Sequence, residues 1–142
     1  MQGNKLFGKD VDLTKLPVPL IHYGDGGRYI NTYGIFIART PDGSWGKLGD
    51  IHGQCLTAAD DRGVVIPTQD FGKIYAEWKK IGKEMPFALC LGVDPAIAMI
   101  AGYPLPSRIS EGEVIGGWYG EPVDVVKCET NDCWYRHPAR LS

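Results

Sequence analysis

The sequence lacks any apolar run long enough to span a membrane, and its first residues, MQGNKLFGKDVDL, are too polar for a secretory signal. It also lacks a basic patch. Its lysines and arginines are scattered, and the small group at 79–83 fits the solvated face of a helix. We therefore expect a cytoplasmic protein that binds neither membranes nor nucleic acid.

The signatures of common enzyme classes are missing as well. The sequence contains no GxGxxG, Walker loop, HExxH or nucleophile elbow, so dinucleotide, ATP, zinc-protease and serine-hydrolase sites have no support from motifs. The four cysteines form no CxxC pair, and two of them, Cys90 and Cys128, lie in apolar strand-like runs. We predict that these two are reduced residues of the core.

The composition indicates one soluble domain built from short elements. A chain of 142 residues is long enough for one domain with a core, and 44% apolar residues with a net charge of −2 are typical of globular proteins. The 19 glycines and 10 prolines imply frequent turns, which favours a sheet-rich or mixed fold. We predict an irregular lead-in over residues 1–27 and a single domain over residues 28–142.

Local signals predict three helices. Apolar residues recur at three- and four-residue steps, which indicates an amphipathic helix over about 70–81. Asp94 is followed by proline, the arrangement of a capped helix start, and predicts a second helix over 95–101. Ser110 is a candidate cap for a third helix that ends near 118.

Runs of β-branched and aromatic residues predict the strands. They cover 29–39, 45–56, 62–67, 85–93 and 123–128, and the second is weak because three glycines interrupt it. Strands outnumber helices and the two alternate irregularly, so the pattern predicts an α+β fold.

Longer strings carry a more specific signal. Four of them resemble consecutive signatures of the UbiD family of reversible decarboxylases, in the family's order: YINTYGIFIARTPDGSW at 29–45, GKEMPFALCLGVDPAIAMIAGYPLP at 82–106, ISEGEVIGGWYGEPVDVV at 109–126 and KCETND at 127–132.

The resemblance implies a split β-barrel of the FMN-binding type, with short flanking helices. In the family this domain binds prenylated FMN together with a divalent metal such as manganese and a potassium ion, and a larger α/β region follows it. Family members decarboxylate aromatic or α,β-unsaturated acids. Dimers are common among such domains, so a homodimer is expected by analogy.

The resemblance also assigns site positions. The Asn, His and Glu that hold the family's metal and phosphate fall on Lys47, Asp70 and Glu111, so only the Glu is retained. The family's catalytic Arg falls on His52, and its two partner glutamates lie beyond the last residue, Ser142.

These substitutions change the chemistry of the position. Asp70 could still bind a metal, but Lys47 brings a positive charge and no acceptor, so a metal site containing it is disfavoured. The Lys47 ammonium could instead sit where the cation sat, between Asp70 and Glu111. Alternatively, these side chains are solvated remnants. His52 could transfer protons near neutral pH but cannot clamp a carboxylate as Arg does.

Three hypotheses for function follow. The first is a stand-alone domain that needs neither flavin nor metal and performs lyase-type acid–base chemistry on a small unsaturated, aromatic or polyketide-like substrate, with Lys47, His52, Asp70 and Glu111 as catalytic residues. The second is a prenylated-FMN-dependent decarboxylase domain, with manganese and potassium, completed by another chain. The third is a non-catalytic binding module or truncated product.

Overall fold

The computed structural model describes residues 5–31, 34–49, 51, 53–55, 61–131 and 133–136. Their contacts group them into two compact units, one within residues 1–32 and 52–64 and the other within 33–51 and 65–142. The predicted domain boundary at residue 28 stays a prediction. Among the residues described, no helix is long and apolar enough to cross a membrane.

In the part of the chain that the structure describes, five strands precede the first α-helix, and the remaining strands and helices are mixed. The strands are β1 (Arg28–Asn31), β2 (Ile35–Arg39), β3 (Gly46–Gly49), β4 (Gly53–Cys55), β5 (Asp61–Gly63), β6 (Phe87–Cys90), β7 (Val125–Lys127) and β8 (Trp134–Arg136). The helices are α1 (Asp70–Lys80), α2 (Pro95–Ala101) and α3 (Glu111–Tyr119).

The first unit contains a small antiparallel sheet in the order β1-β4-β5. Two single 3-10 turns, Gly8–Asp10 and Leu13–Lys15, precede it in the segment that the sequence predicted to be irregular. The second turn is capped by Asp12, whose carboxylate accepts from the backbone N–H and the hydroxyl of Thr14.

The second unit is organised around β2, the central strand of an antiparallel sheet in the order β3-β2-β6. Side chains alternate between the two faces of a strand, and both faces of β2 are covered. Phe36 and Ala38 pack with Phe71 and Ile74 of α1. The other face packs against α2 and α3, with a buried cluster of Ile35, Ile37, Ile97, Ile100, Ala101 and Ile115.

A capped turn joins β2 to β3. The Asp42 carboxylate accepts hydrogen bonds from the Thr40 hydroxyl at 2.6 Å and from the backbone N–H of Ser44 at 3.0 Å. The Trp45 N–H donates back to the Thr40 hydroxyl at 3.1 Å, which closes the loop. Because β3 follows this turn directly, the turn fixes the register that places Lys47 opposite Ala38.

This turn gives a prediction about pH. The hydrogen bonds from Thr40 and Ser44 lower the pKa of Asp42 to about 2. A carboxyl whose pKa is lower in the folded state stabilises the fold above its ordinary pKa, near 3.8. That stabilisation is lost as the pH falls toward 2. An NMR titration of Asp42 should show Thr40→Val raising its pKa more than Ser44→Ala, which leaves the backbone donor in place. Equal shifts in both variants would contradict the role of the Thr40 hydroxyl.

The α+β prediction is confirmed, as are the three helices to within one or two residues at their ends. The long strand predicted over 29–39 is wrong: β1 and β2 belong to different sheets. The weak strand over 45–56 likewise divides into β3 and β4. Both errors arise because composition favours strands throughout these runs but does not show where the chain changes its pairing partner.

The cysteines only partly match their prediction. Cys90 and Cys128 are free thiols, but both are only partly buried. Burial raises the pKa of Cys90 to about 11, so it is protonated and unreactive at neutral pH. Of the three cysteines whose burial the structure describes, Cys133 is the fully buried one; it directly precedes β8, and its Sγ lies 3.5 Å from the Pro86 carbonyl oxygen.

Candidate functional site

The candidate site lies at the outer edge of β3, within the second unit. Lys47 projects from this strand, and its side chain is only 11% exposed. Among the strands that the structure describes, β3 pairs only with β2, so its other edge has backbone N–H groups to satisfy. Glu111 accepts one of them: its Oε2 receives the Leu48 N–H at 3.0 Å.

Two carboxylates converge on the Lys47 ammonium. The Nζ of Lys47 lies 3.4 Å from Oδ2 of Asp70 and forms a direct ion pair with Oε1 of Glu111. The Glu111 side chain is fully buried and that of Asp70 is 17% exposed. A buried carboxylate is stable in a protein only when it is paired, so Lys47 is the charge that makes the buried Glu111 tolerable.

A second lysine completes the group. Lys73, one turn along α1, donates to Oδ1 of Asp70 at 2.8 Å and lies 3.4 Å from the Ser107 hydroxyl. Burial raises the pKa of Asp70, but the hydrogen bond from Lys73 and the charge of Lys47 outweigh that effect and leave the pKa lowered. Asp70 is therefore ionised at neutral pH and unsuited to donate a proton.

Both carboxylates are the first residues of their helices. Asp70 begins α1 and Glu111 begins α3, so two helix N-termini, each with partial positive charge, meet at Lys47. The start of α3 is closed by a capping box formed by Ser110 and Glu113. At the start of α1, by contrast, the Gln69 side chain at the N-cap makes no capping hydrogen bond, and N–H groups at such a helix start can bind an anion.

A divalent metal does not fit this arrangement. Two unit charges 4 Å apart repel by about 4 kcal/mol at an effective dielectric constant of 20, so a divalent ion beside the Lys47 ammonium would meet roughly twice that. Lysine also offers no acceptor atom to a metal. Among the residues described, no three His, Cys, Asp or Glu side chains gather as a metal-binding group.

A cavity of about 730 Å³ opens beside the site. Its lining includes four residues with polar side chains: Arg39, Lys47, Asp94 and Ser110. Most of its surface is apolar, formed by Ile35, Ile37, Leu48, Ile97, Ile115 and Val123 among others. A volume of this size accommodates a fused ring system.

Three of the four site residues predicted from the sequence come together: Lys47, Asp70 and Glu111. The fourth, His52, lies outside the residues that the structure describes. The catalytic roles assigned to all four stay predictions. Sequence reasoning missed Lys73, although its spacing from Asp70 on a predicted helix is the i,i+3 signal of an ion pair.

Comparison with known proteins identifies the family. The model of the 3-octaprenyl-4-hydroxybenzoate carboxy-lyase Rift-related domain, named UbiD, matches residues 1–140. The chain is 45% identical over 139 residues to the pyrrole-2-carboxylic acid decarboxylase of Pseudomonas aeruginosa, an alignment that covers 94% of this chain and 27% of that protein. The chain thus spans about a quarter of the length of this relative.

Solved structures of UbiD-class enzymes are similar to this chain as well. The UbiD-class enzyme HmfF from Pelotomaculum thermopropionicum in complex with FMN is similar with a TM-score of 0.82 and 28% identity, over 90% of this chain and 28% of that one. An evolved dimeric form of the same enzyme with prenylated FMN gives a TM-score of 0.83 at 28% identity, over 90% and 30%.

These complexes correct one prediction. The sequence led us to expect a chain without any cofactor, because two of three family ligand positions are substituted. That expectation is wrong, since the similar structures are complexes with FMN or prenylated FMN. The error was to assume that a chain whose metal-ligand positions are substituted also cannot bind the flavin. With a family model that matches nearly its whole length, the chain belongs to the UbiD family.

Proposed function

We propose that this chain is the flavin-binding part of a prenylated-FMN-dependent decarboxylase that acts on an aromatic or α,β-unsaturated carboxylic acid. The proposal takes the cofactor from the similar structures and the reaction from the family. The two glutamates that the family resemblance implies would come from outside these 142 residues, in another chain or a further region.

One observation carries the proposal: Lys47, whose ammonium contacts the first residues of α1 and α3, lines a mostly apolar cavity. Asp70, the first residue of α1, forms an ion pair with Lys47, and Lys73 adds a second ammonium group on Asp70. FMN carries a large flat aromatic ring system at one end and a phosphate at the other, so it suits an apolar cavity wall with lysines nearby. A helix N-terminus supplemented by lysine is a common phosphate site.

Under this proposal, the residues around the cavity have distinct roles in holding the flavin and in catalysis. The aliphatic wall of the cavity would hold the flavin ring and exclude water, while Lys47, Lys73 and the α1 N-terminus would hold the phosphate. Prenylated FMN, when bound, supplies the electron sink for loss of carbon dioxide. Asp70 and Glu111 are committed to ion pairs, so they hold the cations in place rather than transfer protons. His52 is the proposed proton donor or acceptor.

The proposal is tested by flavin binding. FMN titrated into the purified chain should give saturable quenching of flavin fluorescence. Riboflavin, which has the same ring but no phosphate, should bind about tenfold more weakly or worse, because it forfeits charge-assisted hydrogen bonds. Lys73→Met should weaken FMN binding about threefold to tenfold and leave riboflavin binding unchanged.

The matched control is Lys79→Met, which removes an exposed lysine of the same helix far along from its N-terminus. It should alter neither affinity. If FMN and riboflavin bind equally, the phosphate site is placed wrongly. If neither flavin binds, the proposed cofactor role is wrong and the non-catalytic binding module becomes the better hypothesis.

A further inference from the structure

The charges at β3 are already balanced without an added ion. Two ammonium groups, of Lys47 and Lys73, face two carboxylates, of Asp70 and Glu111, which gives a net charge of zero. The most buried member, Glu111, has both oxygens occupied: one by the Lys47 ammonium and the other by the Leu48 N–H. Both oxygens of the buried Glu111 carboxylate are therefore already engaged by groups of the chain itself.

The cation of this site is therefore part of the chain. The Lys47 ammonium forms ion pairs with both Asp70 and Glu111. A primary ammonium has three N–H donors, so one of them can serve a phosphate oxygen. A metal ion at this position would supply positive charge for a phosphate, and an ammonium held between two carboxylates can supply that charge instead.

We propose that Lys47 is a built-in replacement for the family's divalent metal, so that this chain binds flavin phosphate without a metal ion. The inference rests on the proposed function, because it concerns how the same flavin is held. It differs from that proposal in what it predicts for metals, so it can fail while the proposed function stands.

The test compares FMN binding with and without metal. FMN is titrated into the purified chain in EDTA and again with excess manganese chloride, and flavin fluorescence is followed. The dissociation constant for FMN should change by less than about twofold between the two buffers. Manganese alone should cause no change in melting temperature and no loss of the free-ion electron paramagnetic resonance signal.

The informative variant is the double substitution Lys47→Asn with Asp70→His, which restores the residue types of the family's metal position beside Glu111. In this variant manganese should strengthen FMN binding at least about tenfold and raise the melting temperature. If the variant is unstable in EDTA, its rescue by manganese during refolding gives the same information.

The outcomes separate the two proposals. FMN binding by the wild-type chain that collapses in EDTA and returns with manganese would overturn the built-in cation and leave the proposed function standing. If FMN does not bind in any buffer, the proposed function fails and this inference fails with it, whereas tight manganese binding by a wild-type chain that binds FMN overturns this inference alone.

Discussion

Replacing Lys47 with methionine is expected to lower the free energy of unfolding by about 3–5 kcal/mol. Methionine fills a similar space but removes the ammonium from a side chain that is only 11% exposed. The fully buried Glu111 would then keep its hydrogen bond from the Leu48 N–H but lose its charge partner. Urea unfolding at pH 7, followed by tryptophan fluorescence, measures the change.

Two further variants show whether the loss comes from the unpaired charge. Lys73→Met removes the other lysine on Asp70, but this side chain is 48% exposed, so the cost should stay below about 1 kcal/mol. Adding Glu111→Gln to Lys47→Met removes the buried charge and keeps an acceptor for the Leu48 N–H. The double variant should recover most of the lost stability. If Lys47→Met costs no more than Lys73→Met, the buried ion pair is not the source of stability.

The helices could be predicted from the sequence because their signals are local. The capped start at Ser110 and the Asp94–proline pair both appear in the structure, with the Asp94 carboxylate accepting the Ala96 N–H at 2.9 Å. Strand pairing could not be predicted in the same way. Whether residue 31 and residue 35 share a sheet depends on partners far along the chain, which strand propensity does not encode.

The site was partly predictable for a different reason. Aligning motif positions correctly grouped Lys47 with Asp70 and Glu111, although they are 23 and 64 residues apart in sequence. The prediction of a chain without a cofactor was wrong because each substituted residue was judged only by whether it could bind a metal ion. A phosphate requires positive charge, and lysine supplies it as well as a metal does. The structure also shows that the carboxylates of Asp70 and Glu111 are already paired with lysines, which the residue types at these positions could not reveal.

The site also depends on how closely the loop before α1 packs against the first turn of that helix. Gly72 lies in the first turn of α1, and a Cβ added there would be 2.2 Å from the Ile66 carbonyl oxygen and 2.6 Å from the Pro67 Cα. Both obstacles are backbone atoms, so no side-chain rotation can relieve the clash. The loop or the helix start would have to move, and Asp70 is part of that start.

Gly72→Ala is therefore expected to lower the free energy of unfolding by about 3 kcal/mol, the upper end of the usual cost of overpacking. Gly117→Ala is the matched control, since Gly117 is also a helical glycine but has open space around its Cβ position. Alanine favours helices over glycine, so that variant should gain up to about 1 kcal/mol. Because displacement of the α1 start carries Asp70 away from Lys47, Gly72→Ala should also weaken FMN binding, whereas Gly117→Ala should not. Equal stability of the two variants in urea would show that the loop yields easily and that the close approach at Gly72 does not position the site.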